Sequence, residues 1–232
     1  YAVQGVGHVG MEYVKLLREH GAKVFVTDIN KDAVQRCVDE FGCEAVGLED
    51  IYDCDVDVYS PCALGGTVNE KTLPRLKAKI ICGAANNQLA NDEIGLEVER
   101  RGMLYAPDYA VNAGGLMNVS IEFDGYNRER AMRMMRTIYH NVGKIFEIAD
   151  RDGIPTYKAA DRMAEERIEE ILGPARYVAT PAESAPEVGV VTGLAMRDER
   201  SEVAWVLHGC RRRQVSAPGH LDGPMGGLSF GA

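Results

Sequence analysis

Hydrophobic positions in the first hundred residues follow two alternating rhythms. Short apolar runs predict strands at Ala2–Val3, Lys23–Thr27, 56–60, 79–82 and 103–106. Helical spacing fills the early gaps. Glu12–His20 places Tyr13, Val14, Leu16 and Leu17 on one face before Gly21, and Lys31–Phe41 does the same with Val34, Cys37, Val38 and Phe41 before Gly42. Strands that alternate with helices imply a parallel sheet covered on both faces, so residues 1–126 are expected to form a doubly wound α/β domain. From Asn127 to Asp150 the spacing becomes helical almost throughout, through Ala131, Met134, Met135, Ile138, Val142, Ile145, Phe146 and Ala149. Gly153-Ile154-Pro155 ends that helix, and Ala159–Leu172 reads as a second one, rich in charge. Together they make a helical segment at 127–172. Residues 173–232 lack sustained periodicity and are expected to be a separate tail, disordered in part or chimeric in origin.

Composition narrows the picture. The chain has 232 residues, 46% hydrophobic and 26% charged, enough for a sizeable core. A net charge of −9 repels phosphate backbones and excludes nucleic acid as an expected partner. The six cysteines contain no Cys-x-x-Cys pair, which fits reduced thiols in a cytoplasm and predicts neither a disulfide framework nor a metal site. No apolar run approaches the roughly 20 residues that span a bilayer, so no membrane partner is expected. A strand that starts at Tyr1, with no signal sequence before it, suggests that the natural protein begins earlier.

The chemistry starts at Gly5-Val6-Gly7-His8-Val9-Gly10, a G-x-G-x-x-G pattern that follows a strand and opens a helix. Its first glycine permits a tight turn, its second lets the backbone approach a pyrophosphate, and its third lets helix and strand pack closely. The helix N-terminus then offers unpaired N–H groups and a positive dipole end. Asp28 stands 18 residues beyond Gly10, at the end of the second strand, where an acid accepts hydrogen bonds from an adenosine ribose. A 2′-phosphate there would meet a carboxylate at a cost of up to about 4 kcal/mol, which favours NAD over NADP. Lys31 and Arg36 lie close in sequence and read as solvated helix positions.

Four further segments occur in order after this loop: Pro61-Cys62-Ala63-Leu64-Gly65, Gly83-Ala84-Ala85-Asn86-Asn87-Gln88-Leu89, Tyr105-Ala106-Pro107-Asp108-Tyr109 and Asn112-Ala113-Gly114-Gly115. With them the chain resembles, from residue 1 to about 171, the cofactor domain of the glutamate/leucine/phenylalanine/valine dehydrogenases. Gly125-Tyr126-Asn127 and the run Ala159-Ala160-Asp161-Arg162-Met163-Ala164-Glu165-Glu166-Arg167-Ile168 resemble the leucine branch of that family. The resemblance implies a Rossmann-type domain that lies C-terminal in the whole protein and serves NAD-dependent oxidative deamination of an apolar amino acid. It assigns Gly5, Gly7, His8, Val9 and Gly10 to the pyrophosphate, Asp28 and Ile29 to the adenosine, and Cys62 and Ala63 to the adenine-ribose path. Asn86 falls beside the nicotinamide ribose and substrate amine, Asn112 falls at the nicotinamide carboxamide, and Ala85 is counted among the cofactor-binding residues.

Leu116 and Val119 match positions that wall the family's side-chain pocket. Both are apolar and would leave a substrate carboxylate unpaired, which points to an aliphatic or aromatic side chain. The family's catalytic lysine and aspartate, and the lysine that grips the substrate carboxylate, belong to an N-terminal domain. No lysine here, at 15, 23, 31, 71, 77, 79, 144 or 158, has their glycine-rich context. No catalytic residue is therefore expected in this chain, and the full-length protein is expected to be a homo-oligomer, as family members are. The tail departs from the family. Leu172-Gly173-Pro174-Ala175-Arg176-Tyr177 and Pro186–Ala195 resemble the entry to the protease domain of Lon-type enzymes, but no lysine after 158 could complete a serine–lysine dyad. The competing reading is a catalytically inactive, stand-alone NAD-binding module or a chimeric reading frame.

Overall fold

Alternation along β1 (Ala2–Gln4) sends Ala2 to one face of a sheet and Val3 to the other, and both are fully buried. The computed structural model describes residues 1–122 and 125–172, so the expected tail at 173–232 lies outside the described residues. Five more strands follow: β2 (Phe25–Thr27), β3 (Glu44–Ala45), β4 (Val58–Pro61), β5 (Ile80–Ile81) and β6 (Leu104–Tyr105). All neighbours pair in parallel, in the order β3-β2-β1-β4-β5-β6. The chain thus winds outward one way from β1, returns to β4 on its other side, and winds outward again. The fold is the expected doubly wound sheet, and its reversal point lies between β1 and β4.

Helices cover both faces. On one, Val3, Val6, Val24 and Val26 pack with Val14 of α1 (His8–Glu19) and Cys37 of α2 (Lys31–Phe41). On the other, Ala2, Tyr59, Ile81 and Tyr105 pack with Ile94 and Val98 of α3 (Asp92–Arg100) and with Tyr157. Fully burying one such valine or isoleucine contributes about 1.5–3 kcal/mol. Two short helices, α4 (Asp108–Val111) and α5 (Gly114–Glu122), lead to α6 (Arg128–Asp152) and α7 (Thr156–Leu172). The last two form a hairpin around Ile145, Ile148, Ala149, Ala159 and Ala160, tied at its corner by Arg151 and Arg162 on Asp152. Among the described residues, no helix is long and apolar enough to cross a membrane.

The helix ends follow from side-chain chemistry. Asn30, Asn91 and Asn127 cap α2, α3 and α6, each accepting from the backbone N–H of the first turn. Gly42 and Gly153 close α2 and α6 in the left-handed conformation. Helix α2 has its expected bounds. Helix α1 starts at His8 rather than Glu12, because Gly10 belongs to its first turns and not to the loop before it. Helix α7 starts at Thr156 rather than Ala159, directly after Pro155. Helix α3 was not anticipated from periodicity. Its Gly95 is buried, and a Cβ there would lie 2.5 Å from Cε1 of Tyr157.

Two glycine substitutions test this packing in opposite directions. Gly143, inside α6, has nothing within 4 Å of a built Cβ. Gly143→Ala is expected to raise unfolding stability by about 0.5–1 kcal/mol, by removing glycine's unfolded-state entropy from a helix interior. Gly95→Ala must displace the buried Tyr157 ring and should lower stability by about 1–3 kcal/mol. Urea denaturation of both variants decides, and a neutral Gly95→Ala would show that α3 does not pack against α7 as described.

Candidate functional site

The reversal point leaves a crevice between the carboxyl ends of β1 and β4, and the glycine loop lies there. Gly5 follows β1 with a φ of +102°, and a Cβ on it would stand 2.6 Å from the Ala63 nitrogen and Cβ. Gly10 is tighter: its Cβ would be 2.0 Å from the Gly5 carbonyl oxygen. Gly7 is the opposite case, with nothing within 4 Å of a built Cβ. The first and third glycines are therefore required by the chain's own atoms. The second faces open space.

That space adjoins the start of α1. Gly7 is the N-cap, no side chain caps the helix, and no acidic residue occupies its first turn. His8 and Val9 are exposed there. Such an end carries unpaired N–H groups and a positive dipole end, a fitting surface for phosphate oxygens. Asp28 stands beyond β2, half-buried, and holds the loop from the side. Its Oδ2 accepts from the Val6 N–H at 2.7 Å, and its Oδ1 accepts from the Asn30 N–H at 2.8 Å. Each carboxylate oxygen keeps a further lone pair.

Large apolar side chains also surround the loop in solvent. Val9 is 64% exposed, Ile29 86% and Leu64 74%, and they follow three neighbouring strands. Cys62 lies half-buried behind the loop, its N–H on the Gln4 carbonyl, while Ala63 is exposed beside Gly5. Burial pushes the thiols of Cys62 and Cys82 up, away from the thiolate form.

The other half of the crevice follows β5 and β6. Asn86 and Asn112, apart in sequence by 26 positions, meet: the Asn112 Nδ2 donates to Asn86 Oδ1 at 2.5 Å and to the Ala84 carbonyl at 3.2 Å. Ala85 is buried, and both its N–H and carbonyl are engaged inside the chain, with Pro61 and Gln88. Leu116 and Val119, three residues apart on α5, are each about half exposed. The structure thus gathers the expected loop, acid and asparagines along one edge, and Leu116 and Val119 follow on the helix after Asn112. Two buried residues of this edge were not singled out from the sequence, Gln88 and Asp108. Both lie within the quoted segments, yet nothing in the pattern marks them as buried.

The family model described as Glutamate/Leucine/Phenylalanine/Valine dehydrogenase matches residues 26–172. The chain belongs to that family. It is 56% identical over 168 residues to a leucine dehydrogenase of Thermoactinomyces intermedius, covering 72% of this chain and 46% of that protein. An L-tryptophan dehydrogenase of Nostoc punctiforme is 46% identical over the same length, with 72% and 48% covered. The crystal structure of the Nostoc enzyme superposes with a TM-score of 0.71 at 44% identity, covering 72% of this chain and 51% of that one. The chain therefore spans about half the length of the curated dehydrogenases it matches. A hetero-hexameric glutamate dehydrogenase from Thermus thermophilus shares the fold, with a TM-score of 0.60 at 20% identity.

Within this family edge, the roles of two glycines separate in a stability measurement. Gly7 has a φ of −66°, which any residue adopts, and Gly7→Ala should leave the unfolding midpoint within about 0.5 kcal/mol of the parent. Gly10→Ala must push α1 off the Gly5 carbonyl and should cost about 1–3 kcal/mol. Equal losses at both positions would show that the second glycine is also packed.

Proposed function

We propose that this chain is the NAD-binding half of a dehydrogenase that converts an apolar L-amino acid, leucine or another branched-chain one, to its 2-oxo acid and ammonium. The observation that carries the reading is the cradle at Gly7, with open space over the second glycine, an uncapped α1 terminus, and a loop fastened to Asp28. Gly5, Gly7 and Gly10, with the amides of His8 and Val9, would hold the pyrophosphate. Asp28 would accept from the adenosine ribose on its remaining lone pairs, with Ile29, Cys62 and Ala63 along the adenine side. The exposed Val9, Ile29 and Leu64 would lose solvent contact beneath a bound dinucleotide.

At the nicotinamide end, both Asn112 amide hydrogens are engaged, so its Oδ1 is the atom left to accept from a carboxamide. Asn86 would lie by the nicotinamide ribose and the substrate amine, with Ala85 packed beneath. Bound nicotinamide supplies hydride acceptance. Leu116 and Val119 would form one apolar wall for the substrate side chain, and their half exposure suits a wall whose opposite side lies elsewhere. That last point favours the dehydrogenase over a stand-alone sensing module, which needs no such wall. The proton-transferring groups would belong to the part of the relatives that this chain does not span. In this reading the full-length protein is a cytoplasmic homo-oligomer acting on a small amino acid.

Calorimetric titration of the 232-residue chain tests it. NADH should bind, NADPH should bind at least about tenfold more weakly because of the Asp28 carboxylate, and Asp28→Ser should narrow that ratio. Gly7→Ala should weaken NADH. Mixed with leucine and NAD, the chain should form no NADH. Equal affinity for NADPH would overturn the role of Asp28, and absence of binding would overturn the cofactor reading. Turnover at an ordinary enzymic rate would place the catalytic groups within this chain after all.

A further inference from the structure

The loop between β5 and Leu89 carries Asn86 at its exposed apex, and almost everything else in it is fastened. The Gly83 carbonyl accepts from the Gln88 Nε2 at 2.6 Å, and the Ala85 carbonyl accepts from the same nitrogen at 3.0 Å. The Ala84 carbonyl accepts from Asn112. The Asn87 carbonyl accepts from the Gly66 N–H at 2.7 Å, and the Gln88 carbonyl accepts from the Val68 N–H at 3.0 Å. Asn87 takes a left-handed φ of +53°, which turns the chain sharply after Asn86. Gly65 presses from the other side, since a Cβ on it would lie 2.6 Å from the Asn86 carbonyl oxygen.

Gln88 is the centre of this arrangement. It is fully buried, and its side chain turns back to bond two carbonyls of its own loop. Its backbone N–H donates to Asp108 Oδ2 at 3.0 Å, while Asp108 Oδ1 accepts from the Tyr109 N–H at 2.7 Å. Asp108, itself 3% exposed, thereby joins the β5 loop to the first turn of α4, the helix that Asn112 caps at its C-terminal end. The two asparagines are thus set by a shared buried brace. One detail argues that the brace is more than packing. The Gln88 Oε1 is buried with no hydrogen-bond partner among the described residues, a cost that an apolar side chain of the same size would not carry. What such a side chain could not supply is the donor that closes the loop.

We propose that Gln88, held by Asp108, is a positioning residue that fixes Asn86 and Asn112 at the nicotinamide end of the site. The inference rests on the cofactor reading above and deepens it. It makes the affinity for the nicotinamide half depend on a side chain that touches no cofactor atom, and leaves the adenosine half, which is built on β1, β2 and β4, independent of it.

The test compares NADH with ADP-ribose, which lacks the nicotinamide. In the full 232-residue chain, Gln88→Met keeps the side chain's length and removes its donor. It should weaken NADH by about tenfold and reduce the change in nicotinamide emission on binding, while ADP-ribose affinity stays within about twofold of the parent. Asp108→Asn keeps one acceptor oxygen where two are used, and should move NADH in the same direction by a smaller factor. It also serves if Gln88→Met does not fold. Parallel loss of NADH and ADP-ribose in a variant would reduce Gln88 to a structural role and overturn the proposal. Unchanged NADH binding and emission in the variants would overturn it equally. If the parent binds neither ligand, the cofactor reading itself fails and takes this one with it.

Discussion

Helix α1 can reach the end of β1 only because residue 10 has no side chain. The gap between Gly10 and the Gly5 carbonyl would be 2.0 Å for a Cβ, so any larger residue drives the helix off the strand. Much else at this edge inherits that approach. It directs the N-terminus of α1 across the crevice, presents the Gly7 backbone to open space, and brings the loop near enough for the Val6 N–H to reach Asp28. Asp28 then does two things at once, since the same carboxylate that fastens the loop retains lone pairs for a ligand. A change there alters the shape of the glycine loop together with its charge.

The sheet beneath is stiffened by polar contacts near the same edge. Gln4, last residue of β1, accepts from the Tyr59 hydroxyl at 2.5 Å and donates to the Tyr52 hydroxyl at 2.8 Å. The hydroxyls of Ser60 and Tyr13 lie 3.3 Å apart, joining β4 to α1. These bonds tie the strands on either side of the reversal point to the layers that cover them. Each contributes only about 1 kcal/mol, but an unpaired buried hydroxyl costs as much or more, so the arrangement is favoured as a set. Hydrophobic packing would hold the layers together in several slightly shifted positions. The directional bonds select one.

Sequence pattern read this fold well where local signals and tertiary structure agree, and poorly where they conflict. In α2 an Asn30 cap, an apolar face and a closing Gly42 all point to the same bounds. In α3 they do not: Ile94, Leu96 and Val98 alternate as in a strand, and Gly95 disfavours a helix. The missing information is Tyr157, 62 positions away, whose ring occupies the space a side chain at 95 would need. The glycine loop, Asp28 and the asparagines were legible as a group because they fall at fixed spacings after predicted strands, and the structure brings them to one edge of the sheet. Gln88 was not. Its role comes from burial and from a side chain folded back on its own loop, and one residue letter carries neither.

The apolar positions Leu116 and Val119 are packed on one side and open on the other. Discrimination between side chains that differ by one methylene is worth about 1–3 kcal/mol, and only when the group is enclosed on all sides. A helix face that leaves each residue about half open can cover an apolar group from one direction only, so water meets the other side. The glycine-loop side differs, because its loop, helix end and acid all lie within one sheet edge and need no second surface to take shape. The two ends of this edge are thereby built from different parts of the fold. The glycine loop takes its shape within this chain, whereas the Leu116 and Val119 face of α5 stands half open.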